Sequence, residues 1–418
     1  MSLPRRSGSE MAVSFKGRAL AWSVPLLAEM GALARSVLLA WAVGPEELGR
    51  AMVPVLVLRL VEMVSDIGVE RLLMTSPRGD DASFLAALQG AVLLRGVAMA
   101  GLLAVLAVPM AWALPDGAGL GAYLALAVIP LLRAGLYLDY RRAERNADYR
   151  PLALVEGGAV LVMLVALPVI ARILPDHRAM LAALLVQAVA LVLLSHLVAA
   201  RAWQVRFDRA ILAQALWFGM PLVLNAFLMF LTFQADRLII AGWFGWAEVA
   251  VYGVALQLAS LPAQIAGRAA GSLLAPRLRV QGNRLAEVMQ AALRGHAVLA
   301  LGFATGFALL APPAIALVYG AAFRPGADLA LVLGLAAACR ILRTPHSQLA
   351  VATGRTGDPA RANIWRAGAL VPAFAFAALG QPLLAVALAA LAGEALATLR
   401  AHVLLRRNLT PISEGILT

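Results

Sequence analysis

The chain has 418 residues, 62% of them hydrophobic, and a formal net charge of +12 from 35 Lys and Arg against 23 Asp and Glu. That composition excludes an ordinary soluble domain, and because the cations flank apolar spans they set orientation rather than bind nucleic acid, so no nucleic-acid partner is expected. A single cysteine, Cys339, excludes an intrachain disulfide; none of the five histidines has ligand spacing, His177 and His296 reading as surface or helix-end residues, so neither metal nor cofactor is expected.

A hydrocarbon core about 30 Å thick takes roughly 20 apolar residues per helix. The sequence supplies such stretches at 19–43, 48–73, 84–112, 119–140, 151–173, 179–200, 209–243, 247–272, 288–318, 327–352, 362–380 and 382–405. The fold expected is an all-α polytopic membrane protein of about twelve helices. The first stretch carries Glu29 and Arg35 and lacks an A-x-A site, so it reads as a retained helix rather than a signal peptide. The 209–243 block reads either as one tilted helix or as a helix with an interfacial lead-in.

All the basic residues but Lys16 are arginine, and they fill alternate connections. One side carries Arg71 and Arg78; Arg141, Arg142, Arg145 and Arg150; Arg201, Arg206 and Arg209; Arg277, Arg279 and Arg284; Arg355 and Arg361; and, in the tail, Arg406 and Arg407. The other side holds little more than Arg50, Arg172, Arg178 and Arg324. By the positive-inside rule both termini are expected in the cytoplasm.

Charges inside spans are costly and face a bundle interior or a wet cavity. In the second span Arg59, Glu62, Asp66 and Glu70 follow at spacings of three, four and four, which gathers them on roughly one quarter of a helix surface. They form either an ion-pair ladder, with Arg59 neutralised by Glu62, or the wall of a polar cavity. Arg95 and Arg340 lie near mid-span without a local acid, while Arg133 and Arg268 sit where they could snorkel. Asp236 and Arg237 lie about two turns from the end of the seventh span. An interior richer in arginine than in acid suits a phosphate group, because the guanidinium fork holds phosphate oxygens in pairs. The expected cavity cations are Arg35, Arg59, Arg95, Arg237 and Arg340, with Glu62 and Asp66 neutralising or gating them and offering a route to proton coupling. The seventh span adds Trp217, Phe218, Asn225, Phe227, Phe230, Phe233 and Gln234, a face that reads as core or lipid-facing before it reads as sugar-stacking.

A repeat links the two halves. Ala34-Arg35 through Trp41 and on to Glu46 matches Asp236-Arg237 through Trp243 and on to Glu248 at an offset of 202 residues, pairing Arg35 with Arg237. Two parallel six-helix lobes, 1–205 and 206–418, are therefore expected. There is no P-loop, no carboxylate pair in a large loop and no connection beyond about fifteen residues, so an enzyme is not expected.

The run Gly44-Pro45-Glu46-Glu47-Leu48-Gly49, followed by Ser65-Asp66-Ile67-Gly68-Val69-Glu70, resembles the opening of the oligosaccharide flippase family. Gln234-Ala235-Asp236-Arg237-Leu238-Ile239-Ile240-Ala241-Gly242 with Glu248-Val249-Ala250-Val251-Tyr252 is similar to that family's seventh-to-eighth helix segment. These are the O-antigen and exopolysaccharide exporters of the MATE-like flippase superfamily. The resemblance implies an inner-membrane flippase with two lobes around a cavity open alternately to each side. Its cargo would be a polyprenyl-diphosphate-linked oligosaccharide, its surroundings membrane lipids, and its partners a polysaccharide polymerase and co-polymerase. It also implies roles for Arg35, Asp66 and Arg237. The near absence of lysine and of two extra C-terminal helices departs from several relatives. The alternatives are a cation-coupled multidrug exporter of the MATE class and a membrane polysaccharide polymerase or ligase.

Overall fold

A computed structural model describes residues 15–114, 117–280, 285–355 and 357–414. Arg5, Arg6 and Arg284 lie outside these, as do the side chains of Lys16, Asn225, Arg277, Arg279, Arg406 and Arg407. Among the described residues there are helices and turns and no strand. The chain forms two compact units and passes between them at three points: unit 1 holds the residues up to 43 and 54–227, and unit 2 holds 44–53 and the residues from 228 onward.

Unit 1 contains most of α1 (Phe15–Val64), then α2 (Val69–Thr75), α3 (Ala82–Ala113), α4 (Gly119–Leu126), α5 (Val128–Ala134) and α6 (Asp139–Arg142). It continues with α7 (Arg150–Leu152), α8 (Gly158–Ile173), α9 (Arg178–Val198) and the first part of α10 (Arg209–Trp243). The boundary expected between the first two spans is present: α1 is two helices that meet at Gly44, whose φ of 76° and ψ of 178° are non-helical. The expected stretch 48–73, by contrast, is broken. Helix α1 stops at Val64, and Gly68 at φ 69° reverses the backbone before α2, a conformation that costs other residues about 1–2 kcal/mol. Asp66 Oδ1 accepts the Gly68 N–H at 3.0 Å and closes the turn.

The expected span 119–140 is also broken, between α4 and α5 and again at 135–138. Non-helical backbone at membrane depth needs partners, and polar side chains supply them, two of them, Gln89 and Ser195, buried. Gln89 of α3 donates to the Leu136 carbonyl at 2.7 Å and accepts from Leu138 N at 3.2 Å. From α9, Ser195 Oγ accepts from Tyr137 N at 3.0 Å, and the His196 ring lies 2.9 Å from the Gly135 carbonyl. Phe84, Leu88, Leu73, Tyr137 and Ala215 pack the core around this segment. Asp81 caps α3 through the Ser83 N–H and hydroxyl, which holds its carboxyl below the usual range.

Unit 2 contains the rest of α10, then α11 (Trp246–Val280), α12 (Leu285–Tyr319), α13 (Ala327–Ala352), α14 (Gly357–Gly368), α15 (Leu370–Ala378) and α16 (Leu383–Glu414). The seventh stretch is thus one continuous helix, whereas 362–380 is two. Ala300 and Ala304 of α12 meet Ala338 and Ile341 of α13, small residues that let membrane helices approach closely. Gly49 packs against Trp246, where an added Cβ would fall 1.8 Å from the carbonyl oxygen.

Eight described helices are long and apolar enough to cross a membrane, or nine if Gly119–Ala134 and Asp139–Asn146, bent by 56°, make one span. That number counts α1 once across its break at Gly44 and leaves out α13 and the pair α14–α15, so the division into twelve stays a proposal.

Candidate functional site

Each unit gathers a cluster of arginines around very little acid. In unit 1 the chain break after Val64 is the focus. Glu62, in the last turn of α1, takes a short ion pair from Arg133 of α5 rather than from Arg59. Arg95 of α3 donates to the Glu62 carbonyl at 3.2 Å and to Ser65 Oγ at 3.3 Å, closing off helix-end acceptors that no backbone N–H reaches. Arg35 of α1 makes a 3.8 Å contact to Met163 Sδ of α8, its Nε is buried without a hydrogen-bond partner, and Arg59 and Arg133 lie close enough to act on its charge. Arg59 is exposed on α1. Four guanidiniums therefore share this region with Glu62, and among the described residues Arg35, Arg59 and Arg95 have no carboxylate partner.

This arrangement corrects several expectations. The Arg59–Glu62–Asp66–Glu70 stripe does not exist as one helix face, because α1 ends between Glu62 and Asp66. The Asp66 carboxylate serves a turn, and Glu70 on α2 pairs at 3.1 Å with Arg141. Arg133 does not snorkel; it turns to Glu62.

Arg141 is the opposite kind of centre, one guanidinium among Glu70, Glu144 at 3.1 Å and Glu156 at 2.5 Å. Glu156 comes from a π-helical turn, Ala153–Gly157, between α7 and α8. Arg145 Nη1 lies 2.7–2.9 Å from the carbonyls of Leu73, Met74 and Ser76 and so caps α2.

In unit 2, Arg340 has an acid after all. Glu394 of α16, 54 residues later, takes its Nε in a short bond. The same carboxylate holds Arg366 Nε of α14 at 2.5 Å and Arg343 of α13 at 3.3 Å. Phe233 of α10 underlies the group, 3.7 Å from Arg366 Cζ and 5.2 Å from Arg340 Cζ. Asp236 accepts from Tyr252 Oη at 2.6 Å and from Arg237 N at 2.9 Å. Arg343, Arg366 and Glu394 were missed in the sequence. The signal available was Glu394, the lone acid inside the 382–405 span. No group of three or more metal-ligating side chains occurs among the described residues.

Residues 38–328 match a family described as polysaccharide biosynthesis protein. The chain belongs to that family. No curated protein sequence matches it. In fold it is similar to the lipid II flippase MurJ in an inward closed conformation, with a TM-score of 0.71 at 13% identity over 97% of this chain and 91% of that one. It is also similar to an inward-facing multidrug resistance MATE family transporter of the MOP superfamily, at 0.63, 14%, 95% and 99%. The Vibrio cholerae MATE transporter VcmN in its bent form gives 0.54, 16%, 97% and 99%. This member of the polysaccharide biosynthesis family is therefore a multi-pass membrane protein with a MATE- and MurJ-like fold.

Proposed function

We propose that the chain is a flippase that carries a polyprenyl-diphosphate-linked oligosaccharide from the cytoplasmic to the periplasmic leaflet of a bacterial inner membrane, for O-antigen or exopolysaccharide synthesis. Transport would run by alternating access through an arginine-lined path. The observation that carries this reading is the unit 1 cluster, where Arg35, Arg59 and Arg95 have no carboxylate partner. Uncompensated guanidiniums at membrane depth are unfavourable, and a diphosphate offers them a matching anion in bidentate geometry. Membership of a polysaccharide biosynthesis family and a fold shared with a lipid II flippase support the same cargo class. They support transport rather than catalysis as well.

The cation-coupled exporter fits less well. Such a site needs available carboxylates, but Glu394 is ringed by three arginines and Asp236 is held by Tyr252 and a backbone N–H. The test is complementation of a flippase-deficient strain with protein levels controlled. Arg35→Ala, Arg59→Ala and Arg95→Ala should each lower surface polysaccharide by about tenfold or more, the loss of one charge-assisted contact. Lysine replacements should restore it in part, because an ammonium keeps charge without the fork. Full export from all three alanine variants would refute the assignment.

A further inference from the structure

The connection from α9 to α10, residues 199–208, has no helix of its own, yet it is tied to unit 1 along its length. Ala200 N donates to Asp139 Oδ2 at 2.8 Å, Tyr137 Oη donates to the Ala202 carbonyl at 3.0 Å, and Arg206 N donates to the Ala86 carbonyl of α3 at 2.9 Å. This strap can lie against α3 because residue 90 is glycine; an added Cβ there would fall 2.2 Å from the Arg206 carbonyl oxygen. So anchored, it still leaves two large aromatic side chains uncovered, Trp203 at 46% and Phe207 at 66% exposure, beside the exposed Arg206 and Arg209. Asp208, the one acid among them, accepts the N–H groups of Ala210 and Ile211 and caps α10. Among the described residues Arg206 and Arg209 have no carboxylate partner, whereas Arg141, Arg142, Arg145 and Arg361, in other connections of the same expected side, are paired within the protein. The depth of the strap follows from α3. The 32 residues of that helix extend about 48 Å at 1.5 Å per residue, against about 30 Å of hydrocarbon, so each end of a centred helix stands roughly 9 Å into the headgroups. Gly90 lies about 12 Å from the start of α3 and therefore marks the hydrocarbon boundary.

We infer that the α9–α10 strap is a binding site for an anionic phospholipid of the adjoining leaflet, with the lipid phosphate at Arg206 and Arg209 and the upper acyl chain against Trp203 and Phe207. Aromatic rings seat at this level of a membrane, and a guanidinium holds phosphate oxygens in pairs. Charge decides the class of lipid. Arg209 opens α10, where the helix dipole already presents positive charge, so a net anion gains most there. A zwitterionic headgroup brings its own ammonium to the same place and gains less. The strap is exposed and meets bulk phospholipid first. It is distinct from Arg35, Arg59 and Arg95, and the inference stands whether or not those residues carry a diphosphate.

The probe is phosphatidylglycerol added to the purified full chain in mixed micelles, with thermal unfolding as the readout. It should raise the midpoint saturably by about 2–4 °C, phosphatidylcholine should do little, and roughly 0.5 M salt should weaken the response. Arg206→Gln and Arg209→Gln should each raise the half-saturating lipid fraction about fivefold. Trp203→Ala should weaken binding while keeping the preference for the anionic headgroup. Arg294→Gln, an exposed arginine of α12, and Arg35→Ala, in the cluster that would bind the cargo, should leave the response intact. Photoreactive phosphatidylglycerol should crosslink to the wild type within residues 203–209, which needs no variant. Equal responses to the two lipids, an undiminished response in the Arg206→Gln/Arg209→Gln double variant, a response lost as fully in Arg35→Ala, or crosslinks only elsewhere would each overturn the inference. Displacement of the phospholipid by a polyprenyl diphosphate at far lower concentration would overturn it too, and would make the strap a loading point for the cargo.

Discussion

Arginine carries most of the chemistry visible at the level of single residues, and its meaning depends on what lies across from it. Arg340 and Arg35 look alike in sequence, each mid-span without a local acid. One is neutralised by Glu394 from 54 positions away and the other, among the described residues, has a methionine sulfur and no carboxylate. Glu62 and Arg133, 71 apart, pair in the same unreadable way. Helical spacing reveals partners three or four residues off, and pairs between helices are invisible to it. That is why the cationic surplus was legible and its distribution was not. Asp66 gives a sharp test of the difference. Its carboxylate accepts the Gly68 N–H, a bond that an asparagine oxygen makes equally well. Asp66→Asn should therefore export normally at every pH, whereas Asp66→Ala should lower stability by about 1 kcal/mol. An Asn variant with reduced export and a shifted pH profile would make the charge itself part of gating.

At the scale of elements, the breaks at 65–68 and 135–138 occur where side chains replace helical hydrogen bonds. Ile67 and the apolar residues around it favoured a span running on to residue 73. The Asp66-Ile67-Gly68 sequence, a turn former followed by a residue free to adopt positive φ, decided otherwise. Gly68→Ala should cost about 1–2 kcal/mol, read as a lower unfolding midpoint. The segment 135–138 breaks because Gln89 and Ser195 satisfy it from α3 and α9, which hydropathy alone does not show. The loop arginines were legible as orientation markers, but Arg145 also caps α2 through three carbonyls. Arg145→Ala leaves part-buried acceptors unmet and should destabilise the protein by about 1 kcal/mol. Replacing the exposed Arg150 by Ala should have less effect on the midpoint.

For the whole molecule the open quantity is how many times the chain crosses: the eight apolar helices become twelve crossings when α1 counts as two and the bent pair, α13 and α14–α15 as one each. Helix α13 is not among the eight apolar spans, yet the arginine pattern predicts that it crosses, since Arg324 before it and Arg361, in the first turns of α14 after it, belong to opposite sides of the expected charge bias. Its charges are the obstacle to a crossing, and the structure shows how they are accommodated. Arg340 and Arg343 are turned into the bundle, where Glu394 meets them, so that neither need face lipid. A crossing by α13 implies another by α14–α15 and a return by α16. We therefore expect single cysteines, placed in a variant lacking Cys339, to react from the periplasm at Arg178, Arg324 and Gln381 and from the cytoplasm at Arg150 and Arg361. Asp116, a further periplasmic position by the charge rule, lies outside the described residues. Both halves are tested independently, because Arg150 and Arg178 bracket α8 of unit 1 while Arg324 and Arg361 bracket α13 of unit 2. Labelling of Arg324 and Arg361 from the same side would remove α13 from the membrane, and with it the count of twelve, the shared orientation of the repeat and the cytoplasmic C-terminus.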